Sequence, residues 1–197
     1  MSLENPPLKS RHRRLLVGTL IAAVLCGVAL VVAIRAGSNS SIPTINIPAV
    51  QQAGFVPVHN RVAPTFDLAS VITGQPEVRL PTTGARPTVV NFWSSTCPPC
   101  RQEMPAIADV AQQLTGRVGF IGVDTLDVRS AAAGFAAGTG AHYPLGFDST
   151  GSTANRYGVS GLPTTFFITA GGQVVGMNLG AMTEPELLGL VHELFRS

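Results

Sequence analysis

Charged residues are scarce in this chain, since only 12% of its 197 residues are Asp, Glu, Lys or Arg. Residues 36–197 contain no lysine and carry eight arginines against ten acidic residues, a net charge of −2. Proteins that bind nucleic acids usually present a basic surface, so this balance excludes nucleic acid as an expected partner.

Cysteine is also scarce: the chain has only Cys26, Cys97 and Cys100. A structural zinc site needs four ligands at suitable spacing, and the histidines of residues 36–197 are scattered. We therefore predict no metal ion and no cofactor. Cys26 lies within an apolar segment, where it is expected to be a small apolar residue facing lipid.

Residues 15–34 form a run of twenty residues without a single Asp, Glu, Lys or Arg. A helix of twenty residues, at ~1.5 Å rise each, crosses the ~30 Å hydrocarbon core of a bilayer. Positive charges cluster before this segment, so we expect a single-pass anchor with a cytoplasmic N-terminus and an extracytoplasmic remainder. Cleavage near Ala36, as in a signal peptide, stays an alternative. A lipoprotein signal at Cys26 is disfavoured because Leu25 precedes it.

Four segments follow from these boundaries. We predict a basic cytoplasmic tail at 1–14, a transmembrane anchor at 15–34, a flexible linker at 35–60 and one globular domain at 61–197. The linker prediction depends on a Ser- and Gly-rich start followed by spaced prolines. A domain of this size can bury a sizeable core.

Alternating strand and helix patterns in the domain predict an α/β fold. Predicted strands cover 64–68, 77–80, 88–93, 118–123, 164–168 and 173–178; predicted helices cover 97–114, 129–137, 153–157 and a last segment from 183. The first two strands read as a hairpin, and Gly171-Gly172 joins the last two. Pro105 is expected to bend or break the first helix. Thr183 and Glu186 form a predicted capping box.

The motif Cys97-Pro98-Pro99-Cys100 stands where a buried strand meets a helix. Cys97 is the candidate nucleophile, because the helix N-terminus favours a thiolate. Cys100 lies one turn later and is the candidate resolving thiol. Pro98 and Pro99 cost the helix little at its first positions and stiffen the ring. Half of a zinc site and an inert disulfide are the alternatives.

Three ordered blocks carry a resemblance to a known family: residues 63–68 (APTFDL), 91–105 (NFWSSTCPPCRQEMP) and 161–168 (GLPTTFFI). They resemble the thioredoxin-like, membrane-anchored extracytoplasmic disulfide reductases of the TlpA/ResA type. The resemblance implies a three-layer thioredoxin-like fold with a central mixed sheet and an N-terminal β-hairpin extension.

The resemblance also implies roles for individual residues. Pro163 is expected to be a cis-proline lying against the active-site disulfide, with backbone groups of Leu162 available to a substrate peptide. Glu103 is expected to be buried beneath the thiols and to handle protons. Asn91 stands where ordinary thioredoxins hold a buried acid, which leaves Glu103 as the local candidate for proton transfer.

The main functional hypothesis is a reductase of disulfides in exported cysteine-containing proteins, such as apocytochrome c. A membrane electron donor of the thiol-reducing type would supply its electrons. A disulfide oxidase or isomerase is the alternative, because direction follows the reduction potential. A peroxidase has lower weight: Ser94 fills one expected slot, but Val90 stands where a proline is expected. A non-redox binding module would leave the cysteine pair without a use.

Overall fold

The computed structural model describes residues 54–196, so the predicted tail, anchor and most of the linker lie outside the described part. The strands are β1 (Phe55–Val62), β2 (Phe66–Leu68), β3 (Val78–Leu80), β4 (Thr88–Trp93), β5 (Gly119–Thr125), β6 (Leu145–Asp148), β7 (Thr164–Ile168) and β8 (Gln173–Leu179). The helices are α1 (Pro98–Gln113), α2 (Arg129–Ala137), α3 (Ser152–Tyr157) and α4 (Glu184–Phe195). Within residues 54–196, no helix has both the length and the apolar character needed to span a bilayer.

Six strands form one mixed sheet in the order β1-β8-β7-β4-β5-β6. β4, β5 and β6 run parallel, whereas β7 is antiparallel to both β4 and β8, and β1 is antiparallel to β8. The predicted α/β fold with a central mixed sheet is confirmed. The parallel pairing of β4 with β5 places the ends of both strands at the same edge, where the α1 junction begins.

Apolar side chains cover both faces of this sheet. On one face, α1 and α4 contribute Ile107, Val110, Leu187 and Leu190 to a buried cluster. On the other face, Tyr157 of α3 joins the side chains of the β2–β3 hairpin. Helices and hairpin therefore form the two outer layers of a three-layer fold.

The β2–β3 hairpin confirms the predicted N-terminal extension. Its strands pair antiparallel in a separate two-stranded sheet, with Phe66 opposite Leu80 and Leu68 opposite Val78.

The predicted capping box at the start of α4 is also present, because the Thr183 N–H donates to the Glu186 carboxylate at 2.8 Å.

Strand β1 corrects the predicted linker. It begins at Phe55 and so occupies residues 55–60 of the segment 35–60 that the sequence predicts as flexible. Pro57 made this stretch resemble a linker, but a proline is tolerated on an edge strand, where its missing N–H leaves no inner ladder bond unmade. The register shifts between Pro57 and Arg61, which accommodates the irregular sequence. Strand β6 was not predicted either.

Helix α1 differs from expectation at Pro105. The helix continues from Pro98 to Gln113 with Pro105 inside it, so it is not broken there. Met104 and Ile107, on either side of the proline, are fully buried, and their packing stabilises the helix across the missing N–H donor.

Candidate active site

The two cysteines meet at the junction of β4 and α1, as predicted. Their sulfur atoms are 2.04 Å apart and form a disulfide, with the two Cα atoms separated by 5.3 Å. Cys97 is the N-cap residue of α1, and Pro98 and Pro99 occupy its first two positions. Four residues thus place a redox-active pair at the positive end of a helix dipole.

The two sulfur atoms differ in access. Cys97 is half-buried, whereas Cys100 is 0% exposed. The backbone N–H of Cys100 donates to the Cys97 Sγ at 3.2 Å, so the helix end supplies a donor to the outer sulfur. Such a donor stabilises a thiolate at Cys97 once the disulfide is reduced. Of the two cysteines, only Cys97 is accessible from the surface.

Glu103 lies one turn beyond Cys100 on α1 and is only 1% exposed. Its Oε2 accepts from Asn91 Nδ2 at 3.1 Å, and its Oε1 accepts from the Met182 backbone N–H at 3.1 Å. Burial raises the pKa of Glu103 to about 7, and the two hydrogen bonds oppose that rise. A carboxyl with this pKa can both take and release a proton near neutral pH.

Asn91 of β4 fixes the orientation of that carboxyl. Its Nδ2 donates to Thr165 Oγ1 on the neighbouring strand β7 at 2.9 Å as well as to Glu103. The amide therefore ties the sheet to α1 at Glu103, one helical turn beyond Cys100. Because the Asn91 amide is uncharged, the pKa of Glu103 is not raised by a second acid at position 91.

The third sequence block also reaches the site. The Leu162–Pro163 peptide bond is cis, as the resemblance implied. Leu162 packs against the same apolar cluster as Cys97 and Cys100, and both Leu162 and Cys97 line an open groove with a volume of about 460 Å³. The structure thus brings together Cys97, Cys100, Glu103 and the Leu162–Pro163 loop.

The chain is similar to several known proteins. The model of the AhpC/TSA family matches residues 60–177 of the chain. The chain belongs to the AhpC/TSA family. A thiol:disulfide interchange protein DsbE homolog of Paracoccus denitrificans is 35% identical over 99 residues, 50% of this chain and 53% of that protein. Thiol-disulfide oxidoreductase ResA of Bacillus subtilis is 31% identical over 123 residues, 62% of this chain and 68% of that protein.

A solved structure agrees with these matches. The secreted Mycobacterium tuberculosis disulfide oxidoreductase homologous to Escherichia coli DsbE superposes with a TM-score of 0.59 at 26% identity, covering 65% of this chain and 95% of that one. The predicted resemblance to thioredoxin-like proteins of the ResA type is confirmed. This AhpC/TSA family member is a thiol–disulfide oxidoreductase with the cysteine pair in place.

Asp127 is a residue of the oxidoreductase's site that the sequence analysis missed. It follows β5, and its Oδ2 accepts from the Ser95 backbone N–H at 2.6 Å and from Ser94 Oγ at 3.1 Å. The carbonyl of Ser94 in turn accepts from the Cys97 N–H at 3.2 Å. Partial burial raises the pKa of Asp127, but the hydrogen bonds that it accepts from Ser95, Val128 and Ser94 outweigh this effect and lower the pKa below its ordinary value. Asp127 therefore fastens the loop that carries the nucleophile to the neighbouring strand end.

Asp124, at the end of β5, is a second acid that the sequence analysis missed. It is 0% exposed, and neither carboxylate oxygen has a donor among the described residues. Burial and the nearby Asp127 charge raise the pKa of Asp124 to about 8. Two neighbouring carboxylates repel each other when both are ionised, so Asp124 keeps its proton to a higher pH than an ordinary aspartate. The only sequence signal was an acid within the buried run GFIGVDT.

Ser94 is the residue that raised the peroxidase alternative. Its hydroxyl lies within hydrogen-bond distance of both Asp127 and Thr96, at 3.1 Å and 3.0 Å. Ser94 thus helps Asp127 to hold the loop that leads to Cys97.

Within residues 54–196, no group of three or more His, Cys, Asp or Glu side chains is arranged to hold a metal ion.

Proposed function

We propose that this oxidoreductase reduces disulfides in exported cysteine-containing proteins, for example apocytochrome c, on the outer side of the cell membrane. Residues 15–34 serve as the anchor, the basic tail stays in the cytoplasm, and a membrane donor of the thiol-reducing type returns the oxidised pair to the dithiol. The support is the charge-free N-terminal segment with its flanking cations and the similarity to interchange proteins.

The reaction begins from the reduced pair. The Cys97 thiolate attacks one sulfur of the substrate disulfide, which forms a mixed disulfide and releases the first substrate thiolate. Glu103 accepts the proton of the Cys100 thiol, and the Cys100 thiolate attacks the Cys97 sulfur. The Cys97–Cys100 disulfide forms, the second substrate sulfur leaves as a thiolate, and two electrons have passed to the substrate.

This proposal depends most on the unequal burial of the two cysteines and on the pKa of Glu103. Cys97 is half-buried, and the pKa of Glu103 lies near neutral pH. Cys100 is fully buried and cannot deliver its proton to bulk water directly. Glu103, with a pKa of about 7, is the described acid on the same helix face one turn away. Efficient proton transfer needs a base whose pKa lies near the working pH.

Four further residues are assigned to substrate contact. Pro98 and Pro99 are exposed at the rim of the site, next to Cys97. Leu162, which is half-buried, offers backbone groups beside the groove, and Pro163 follows it in the same loop and is buried. A substrate segment can pair with that backbone as an added strand does.

The reduction potential decides between reductase and oxidase. Relatives of this chemistry span roughly −270 to −120 mV, and we expect a value near the reducing end. Equilibration of residues 54–197 with glutathione buffers, followed by alkylation and mass measurement, gives the potential. A value near the oxidising end would favour the oxidase or isomerase alternative, and a Cys97→Ser, Cys100→Ser variant provides the redox-inert control.

A further inference from the structure

Leu126 is a large apolar side chain in an unfavourable position. It is 69% exposed, and its φ of 53° lies in the left-handed region that non-glycine residues seldom adopt. The left-handed conformation costs roughly 1–2 kcal/mol for such a residue. The exposed side chain also contributes little apolar burial, so neither feature stabilises the fold. A strained and exposed leucine beside an active site points to a role in binding.

The location of Leu126 connects it to the nucleophile. Leu126 and Cys97 line the same open groove, together with Val159 and Leu162. The side chain of Leu126 lies across Gly151: a Cβ at residue 151 would be only 3.0 Å from Leu126 Cγ. The glycine therefore leaves room for the leucine to form one wall of the groove.

The chemistry of the groove defines what it can accept. Apart from the Cys97 thiolate, no side chain that lines it is charged: Leu126, Val159 and Leu162 supply apolar surface, and the polar lining residues, such as Asn155 and Ser160, are neutral. A charged substrate residue would lose water here without meeting an opposite charge, whereas an apolar residue gains burial against Leu126, Val159 and Leu162.

We infer that this groove is a substrate subsite in which Leu126 binds an apolar side chain flanking the attacked cysteine of the substrate polypeptide. The inference rests on the proposed function, because the subsite is useful only if Cys97 attacks polypeptide disulfides. It deepens that function by naming the substrate class: segments with apolar, uncharged residues next to the cysteine. Leu126 is thus a specificity-determining residue.

The test compares three peptide disulfides as substrates for the reduced protein. Each is a homodimer linked through one cysteine, in the sequences Ala-Leu-Cys-Leu-Ala, Ala-Asn-Cys-Asn-Ala and Ala-Asp-Cys-Asp-Ala. Leucine flanks the cysteine on both sides, so no binding direction is assumed. Hydroxyethyl disulfide, which has no flanking side chain, normalises the rate of each protein variant.

For the wild-type protein we expect the second-order rate constant for oxidation of the reduced protein to be highest with the leucine peptide and lowest with the aspartate peptide. Leu126→Asn should lower the leucine-to-asparagine ratio roughly fivefold, since it removes the apolar contact while asparagine tolerates the left-handed backbone. Leu126→Met should restore most of the ratio. Val128→Asn is the matched control, because Val128 is 65% exposed two residues away but does not line the groove.

The outcomes separate the subsite from the chemistry. An unchanged ratio in Leu126→Asn, or an equal fall in Val128→Asn, overturns the subsite while leaving disulfide reduction intact. Failure of the wild-type protein to reduce hydroxyethyl disulfide overturns the proposed function, and the subsite is rejected with it.

Discussion

Asn91 Nδ2 donates a hydrogen bond of 3.1 Å to Glu103 Oε2 in the buried layer between the sheet and α1. A neutral amide thus orients the acid beneath the cysteines without adding a competing charge. Since the same amide group also donates to Thr165, its orientation is fixed from the adjacent strand. The proton chemistry of the site depends on this pair.

Replacing Glu103 by glutamine should slow the resolving step roughly tenfold or more at pH 7, because a positioned base contributes at least that factor. In the wild-type protein the rate should rise through pH 7 as Glu103 becomes able to accept a proton. The Glu103→Gln profile should lose that inflection. Stopped-flow measurement of mixed-disulfide decay from pH 5 to 9 tests this.

The matched control for this experiment is Glu77→Gln, an exposed acid on the β2–β3 hairpin that pairs with Arg79. It should leave the profile unchanged. An inflection near pH 7 that survives in Glu103→Gln would remove the proton role of Glu103.

Asn91→Asp should move the same inflection above pH 7. The change removes a hydrogen bond that lowers the pKa of Glu103 and adds a like charge that raises it. Asn91→Ser, which removes the donor without adding a charge, should shift the inflection less. Equal profiles for the two variants would show that Asn91 does not act electrostatically on Glu103.

Asp124→Asn should stabilise the protein at alkaline pH. The folded-state pKa of about 8 lies above the unfolded value of about 3.9, so the native state holds a proton that the unfolded state has lost. Wild-type stability therefore falls as the pH rises from about 4 through 8, and asparagine removes this loss. We expect a gain of a few kcal/mol at pH 9 and a much smaller difference at pH 4.

Urea unfolding of the oxidised protein at the two pH values measures this difference. Asp109→Asn, an exposed acid on α1, is the control and should show no comparable pH dependence. A stability difference that is the same at pH 4 and pH 9 would mean that Asp124 is not protonated in the folded state.

Asp127→Ala should lower the free energy of unfolding by about 1–3 kcal/mol, because the Ser95 N–H and the Ser94 hydroxyl lose their acceptor. The loop leading to Cys97 should also exchange its amide hydrogens faster. Hydrogen exchange at residues 94–97 checks the second effect, with Asp109→Ala as the control. Unchanged protection in Asp127→Ala would argue against an anchoring role.

Much of the site could be predicted from the sequence because its parts are local. The Cys97–Cys100 spacing and the apolar run before it fix a strand–helix junction within fifteen residues. Pro163 needed the family resemblance, because most prolines are trans and local sequence does not reveal the difference. The burial of Glu103 likewise depends on a long-range contact, since its Oε1 accepts from the backbone N–H of Met182, 79 residues later in the chain.

The parts that the sequence did not reveal depend on long-range pairing. Strand β6 is four residues long, contains Gly146 and becomes a strand only by pairing with β5. Strand β1 contains Pro57 and joins the sheet through β8, more than a hundred residues later. Asp127 acquires its role only when β4 and β5 end side by side, so no local pattern marks it.

The central claim is that Cys97 attacks and Cys100 resolves, and trapping of the mixed disulfide tests it most directly. Reduced Cys100→Ser and Cys97→Ser variants are each mixed with a peptide disulfide, and the adducts are located by mass spectrometry. We predict a stable adduct on Cys97 in the first variant and almost none in the second. Faster adduct formation on Cys100 than on Cys97, or no adduct on either, would contradict the account.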